Sequence, residues 1–303
     1  TPGVKGFFSA KDVPGKNNWG IIIQDDEIFA SKEVFCVGQV IGLIVAETKE
    51  IAQEAKSLVK IEYEVLPHIL TIEEAIEQNS FFPMPLQLER GDIEKGFQEA
   101  DYVFAGETRA GGQEHFYMET NVSLVIPKKE NDEFEIFSST QNVSGTQNKV
   151  AESLGIPANK VVSRVKRVGG AFGGKETKSL FLAMALAVGA WHLKKPIRCM
   201  LNREEDMIIT GQRHPLLAKW KIGLTKDGKI TSLDLKVYAN AGCSMDISVV
   251  AIQACIQSCD GCYYIPNLRF VGHICKTNIH SNTAFRGFGR PQGVFIIESI
   301  LSE

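Results

Sequence analysis

Apolar residues crowd into 34–46, VFCVGQVIGLIVA, a β-rich run that reads as a buried strand. Helical spacing follows at Ile51, Ala55 and Leu58, predicting a helix over 48–60. IEYEVLP, 61–67, alternates like a strand and stops at Pro67. Thr71 is an N-cap for a helix over 71–79. SFFPMPLQLERGDIEKG then mixes prolines with charge and reads as a linker. From Tyr102 the pattern turns strand-rich. VSLVIPKK and EFEIFSST flank the polar turn ENDE, and NKVAESLG is a short helix closed by Gly155. KVVSRVKRV alternates as a strand and leads into the glycine loop RVGGAFGGKET, 167–177. KSLFLAMALAVGAWHL is a helix too apolar for a surface, and IRCML is a strand. A hairpin turns at Asp227-Gly228, and a second glycine loop, AFRGFGRPQG at 284–293, opens the last helix. These elements predict an α+β protein.

The loop at 167–177 nearly spells a phosphate-binding loop: Gly169, four residues, Gly174, Lys175. The next position should be Ser or Thr and is Glu176, whose carboxylate repels phosphate. Three readings stand: a nucleotide loop, a plain turn between strand and helix, and a loop whose backbone N–H groups face another anionic or oxo group. Arg286 between Phe285 and Phe288, Gln141 at the end of a strand, and Glu176 at the start of an apolar helix favour the third.

Bulk properties narrow the function classes. The 303 residues are 44% hydrophobic and 23% charged, as in ordinary globular chains, with a net charge of −3. No nucleic acid or membrane is expected as a partner. The seven cysteines, at 36, 199, 243, 255, 259, 262 and 275, form no paired framework and are expected as reduced thiols. Cys259-Asp-Gly-Cys262 lacks the second pair a metal site needs. Glu114 and His115, as neighbours in a strand, face opposite sides and read as structural. The start TPGVKGFFSA carries no signal-peptide pattern and no Met, and GVFIIESILSE ends like a running helix, so a fragment of a longer protein is expected.

GGQEHFYMET (111–120), STQN (139–142), PANKVVSRVKRVGGAFGGKET (157–177), RCMLNREEDMIITGQRHP (198–215), CYYIPNLR (262–269) and KTNIHSNTAFRGFGRPQG (276–293) resemble the xanthine dehydrogenase and aldehyde oxidase family of molybdenum hydroxylases in order and spacing. The resemblance implies a small hammerhead-like α/β domain over 1–66, a linker over 67–99, and the first half of a mixed-sheet molybdopterin-binding domain over 100–303. It implies molybdopterin with an oxo/sulfido molybdenum. By the same resemblance Gln141, Gly170, Phe172, Gly173 and Arg286 are expected as cofactor-binding residues, with Gln141, Phe172 and Arg286 in the molybdenum environment. Phe288 matches the aromatic wall that stacks on a flat substrate, and Glu176 matches a glutamate that contacts purines.

Two positions depart from the pattern. Ala254 stands where xanthine-oxidising members carry an arginine for the substrate's exocyclic oxygen, which argues against efficient xanthine turnover. Arg290 stands where relatives have a small or apolar residue. The implied activity is hydroxylation of an N-heterocycle carbon with oxygen from water. Aldehyde oxidation and a catalytically dead binding relative are the alternatives. The family's base lies beyond Glu303, so no catalytic residue is assigned here, and the chain alone is expected to be inactive. The implied partners are 2Fe-2S and FAD domains, the C-terminal half of the same enzyme and a second subunit. The implied compartment is the cytoplasm, with the peroxisome as the alternative.

Overall fold

A computed structural model describes residues 1–84, 86–130 and 132–303. Asn131, inside the expected ENDE turn, and Pro85, inside the expected linker, lie outside the described residues. The chain packs as two units. Thr1–His68 joins His115–Gly211 in the first, and Ile69–Glu114 joins Gln212–Glu303 in the second.

The first unit is built around the Leu180–Leu193 helix. LFLAMALAVGAWHL has no polar face, and Leu182 through Ala190 are all buried. A helix apolar on every side is stable only inside a core. Val125, Phe134, Ile136 and Val161 pack into the same core from a four-stranded sheet. Its order is Ile197–Met200, Val122–Pro127, Phe134–Ser138, Val161–Arg164, antiparallel except for the last, parallel pair. A Cβ on Gly189 would lie 3.0 Å from Ile197 and 3.1 Å from Leu43. The helix is therefore sandwiched between that sheet and a two-stranded one, Val4–Ser9 with Gly42–Ala46. Burying each such leucine contributes roughly 1.5–3 kcal/mol.

The second unit carries a five-stranded sheet in the order Leu86–Arg90, Asn267–Lys276, Ile230–Gly242, Leu216–Leu224, Tyr102–Ala110. Its pairs are antiparallel except Ile230–Gly242 with Asn267–Lys276. Helices Ile72–Glu77, Ile93–Gln98, Ser248–Ile256 and Arg290–Ser302 belong to the same unit. The mixed α+β class is as expected.

Local signals gave the right elements. Thr71 caps its helix with a full capping box, Gly155 closes Val143–Leu154 in the left-handed conformation, and Gly228 turns the hairpin at φ 77°. Four expectations need correction. Only Gly42–Ala46 of 34–46 is a strand. The chain kinks at Gly38, φ 90°, where a Cβ would meet the Ile208 carbonyl at 2.5 Å. Residues 61–67 form no strand: they find no partner edge, and Tyr63 and Val65 are exposed. The expected linker folds, with Leu86–Arg90 paired to Asn267–Lys276 and Asp92 capping Ile93–Gln98. Glu114 and His115 lie outside any strand. Among the described residues no helix is long and apolar enough to cross a membrane.

Candidate functional site

In the first unit, strand Phe134–Ser138 hands over to helix Val143–Leu154 within four residues, Ser139-Thr140-Gln141-Asn142. Asn142 caps the helix by accepting from the Gly145 amide at 2.8 Å. Thr140 Oγ1 accepts from the Asn142 amide at 3.0 Å. Gln141 is thus fixed between a strand end and a capped helix start. Its amide donates to the Lys175 carbonyl at 2.8 Å. Its Oε1 accepts from the amides of Gly173 at 2.9 Å and Lys175 at 3.3 Å. With the oxygen engaged by two N–H groups, the exposed end of the carboxamide is the Nε2 donor, which has no acceptor among the described residues.

The glycine loop wraps a strap formed by residues 115–119. A Cβ on Gly169 would sit 2.6 Å from Glu119 Cβ, one on Gly170 3.0 Å from Tyr117 Cβ, and one on Gly174 2.8 Å from the His115 ring. Three of the four glycines therefore serve close packing on the strap. Gly173, φ 102°, supplies the left-handed turn that points its amide at Gln141. Phe172, also left-handed at φ 52°, crowns the loop and is 47% exposed. A bulky residue there costs about 1–3 kcal/mol and persists only where the surroundings enforce it. The amides of Gly170, Ala171 and Phe172 find no acceptor among the described residues.

Lys175 decides against a nucleotide loop. Its side chain is fully buried, and Nζ donates to the Glu119 carbonyl (2.7 Å), Ser139 Oγ (2.8 Å) and Glu119 Oε2 (3.3 Å), 4.6 Å above the Tyr117 ring. An ammonium held this way cannot reach a phosphate. Glu119 Oε2 also accepts from Ser139 Oγ at 2.6 Å and the Gly169 amide at 2.8 Å. One carboxylate thus ties the entry of the glycine loop to the residue two before Gln141. Burial alone would raise the Glu119 carboxyl, but Ser139, Gly169 and Lys175 hold it below the ordinary range. Burial pulls the Lys175 ammonium below its ordinary range, against the opposing pull of Glu119. Burial, with Asp206 nearby, pushes the Tyr117 phenol up. Glu176 is exposed, with no side-chain partner, and precedes the first helical residue, Leu180, by four positions. The helix dipole acts only over the first turn, so it does not stabilise the Glu176 carboxylate.

In the second unit, the loop before helix Arg290–Ser302 turns through Gly287 (φ 95°), Phe288 (φ 49°) and Gly289 (φ 82°). Phe288, like Phe172, is a left-handed aromatic followed by a left-handed glycine. Gly289 lets the loop press onto helix Ser248–Ile256, since a Cβ there would meet the Ala251 carbonyl at 2.0 Å. Ala254 is buried on that helix. Arg286 and Arg290 are exposed, and neither side chain has a described partner. The Arg286 carbonyl accepts from buried Arg213 at 2.7 Å. Glu114 accepts from Gln212 Nε2 at 3.2 Å, while His115, buried in the first unit, stacks on Tyr117.

Among the described residues no group of three or more His, Cys, Asp or Glu could hold a metal, and none of the seven cysteines is in a disulfide. The molybdopterin cofactor-binding domain model matches residues 72–303. The chain belongs to the molybdopterin cofactor-binding domain family. The model for the aldehyde oxidase and xanthine dehydrogenase a/b hammerhead domain matches residues 1–67. The chain is 50% identical over 302 residues to xanthine dehydrogenase/oxidase of Felis catus, covering 100% of this chain and 23% of that protein. It is 51% identical over 304 residues to xanthine dehydrogenase of Emericella nidulans, covering 100% of this chain and 22% of that protein. The aldehyde oxidoreductase structure from Desulfovibrio gigas superposes with a TM-score of 0.87 at 25% identity, over 98% of this chain and 34% of that one. The chain thus spans under a quarter of the length of the curated relatives.

The residues fit the family's cofactor. A donor carboxamide and three loop amides without acceptors among the described residues are the kind of donor set that an anionic, oxygen-bearing group takes. Gln141, Gly170, Phe172 and Gly173 come together in the first unit. Arg286 and Phe288 share one loop of the second. The sequence reading missed Glu119, Lys175 and Arg213. GGKET drew attention to Lys175 for the wrong reason, and nothing in the spacing marks a buried Glu119–Lys175 pair 56 positions apart.

Proposed function

We propose that this chain is part of a molybdenum hydroxylase that oxidises a purine-like or other N-heterocyclic substrate at carbon. Gln141, Gly170, Phe172, Gly173 and Arg286 hold the molybdenum cofactor, and Glu176 and Phe288 receive the substrate. The observation that carries this reading is the Gln141 carboxamide, whose oxygen is engaged by the loop so that its N–H₂ faces outward. Half-identity to xanthine dehydrogenases supports the substrate class. The bound cofactor supplies the redox step that transfers oxygen from water to carbon. This chain's residues bind and orient. Gln141 Nε2 and the loop amides donate hydrogen bonds to the anionic centre. The Arg286 guanidinium adds a permanent positive charge. Phe288 stacks on a flat ring, and Glu176 accepts from a ring N–H. The proton-abstracting base, the 2Fe-2S and FAD domains and a second subunit belong to other parts of the enzyme, which we place in the cytoplasm. Residues 1–66 form its hammerhead-like portion and residues 100–303 the first part of its cofactor-binding portion.

Ala254 favours a second reading, an aldehyde oxidase or an inactive relative, because no arginine is present there to pair with an exocyclic oxygen. Metal analysis and a substrate panel on the intact protein decide. Molybdenum near one per chain, with hypoxanthine or nicotinate-like heterocycles turned over faster than xanthine, is expected. Aldehyde-only turnover selects the aldehyde oxidase, and absence of molybdenum selects the inactive relative.

A further inference from the structure

Charge in the second unit is out of balance at Arg213. Its side chain is buried, yet every acceptor it meets is neutral. Nε donates to Gln113 Oε1 at 2.6 Å, Nη1 to Gln292 Oε1 at 3.3 Å and Nη2 to the Arg286 carbonyl at 2.7 Å. The guanidinium lies 4.0 Å over the Phe285 ring. No carboxylate among the described residues pairs with it. An arginine cannot shed its proton to escape burial, so an uncompensated guanidinium is costly and needs a reason. Burial alone, with no acidic neighbour, draws it below the ordinary arginine range. If holding the loop were the whole task, a neutral donor or a paired cation would do it at lower cost.

We infer that Arg213 is a positioning residue that fixes the Arg286 loop and supplies a second, permanent positive charge behind it for the anionic molybdenum centre. The fork grips Gln113, the Arg286 backbone and Gln292, the third residue of helix Arg290–Ser302. It thereby sets the left-handed run Gly287-Phe288-Gly289 that aims Arg286 outward. A buried charge is weakly screened, so it would act on a centre bound at the Arg286 loop more strongly than a surface arginine does. A positive charge favours the more reduced, more negative state of the centre. This inference rests on the function proposed above.

The test uses the intact enzyme in four forms: wild type, Gln113→Glu, Arg213→Gln and Arg213→Lys. Molybdenum content, thermal midpoint and the molybdenum midpoint potential by EPR-monitored redox titration are measured for each. Gln113→Glu places a carboxylate on Arg213 Nε with no change of shape. It is expected to load molybdenum and melt like wild type while titrating at a more negative potential. Arg213→Gln should shift the same way. Arg213→Lys, which keeps the charge and loses the fork, should stay near the wild-type potential with lower molybdenum occupancy. Wild-type potentials in molybdenum-loaded Gln113→Glu and Arg213→Gln overturn the inference and leave the proposed function standing. If Arg213→Gln does not fold, Gln113→Glu decides alone. A wild-type enzyme without molybdenum overturns the proposed function and this inference with it.

Discussion

The Gly173 amide donates to Gln141 Oε1 at 2.9 Å, and this one bond decides which end of the carboxamide meets a ligand. Gln141→Glu keeps an oxygen for Gly173 and Lys175 but replaces the outward N–H₂ with a second, negative acceptor. The fold should tolerate the change, with a melting temperature within about 2 °C of wild type, since the site is exposed. A hydrogen bond to a charged group is worth about 1.5–3 kcal/mol, so turnover of the intact enzyme should fall roughly ten- to 150-fold. Steady-state kinetics beside calorimetry checks both halves. Unchanged turnover removes Gln141 from the site.

Glu119 and Lys175 give the opposite kind of variant, one that acts on stability first. Glu119→Gln leaves a fully buried ammonium without a countercharge. Breaking a buried pair costs about 3–5 kcal/mol, and with Glu119 31% exposed about 2–3 kcal/mol is expected. Adding Lys175→Met should recover part of that loss, because an uncompensated charge costs more than a neutral core. Glu119's folded pKa is depressed below its ordinary value of 4.5, so its contribution is present above that value and lost as pH falls through the folded pKa. Denaturant titrations should therefore separate wild type from Glu119→Gln at neutral pH and bring them together in acid below about pH 4.5.

The sequence made legible what is local. Thr71, Gly155 and Gly228 act within four residues of themselves, and each could be read from its neighbours. The strand expected at 61–67 failed because a strand is completed by its partner edge, which no window of sequence contains. The pairing of Leu86–Arg90 with Asn267–Lys276 failed to show for the same reason. Among the candidate residues, resemblance supplied Gln141, Phe172 and Arg286, but not what holds their loops. The strap 115–119, Lys175 and Arg213 act through contacts between residues 50 or more apart. The glycines at 169, 170 and 174 make room for the strap, a role that no local pattern announces.

That packing makes a clean comparison between two glycines. A Cβ on Gly174 would sit 2.8 Å from His115 Cγ and 2.9 Å from Tyr117 Cε1, both rings held in place by burial. Gly174→Ala should destabilise by about 1–3 kcal/mol through overpacking and lower molybdenum occupancy by displacing the Gly173 amide. Gly111 has nothing within 4 Å of its Cβ position, so Gly111→Ala should be neutral or stabilise by up to about 1 kcal/mol. Thermal denaturation with metal analysis on both proteins checks the contrast. Equal behaviour of the two would mean that the loop does not rest on the strap.

Glu176 separates recognition of substrate from upkeep of the fold. Its carboxylate is exposed and has no partner among the described residues, so Glu176→Gln should change stability by less than about 0.5 kcal/mol. Any kinetic effect then belongs to the ligand. A carboxylate that accepts from a heterocyclic N–H should be missed by purines and not by aldehydes, which offer no such donor. For the intact enzyme, kcat/KM on hypoxanthine should drop about tenfold or more, the worth of one charged hydrogen bond, while an aromatic aldehyde is turned over as before. Equal losses on both substrates would assign Glu176 to the cofactor or the loop, and no loss on either would return it to the solvated surface.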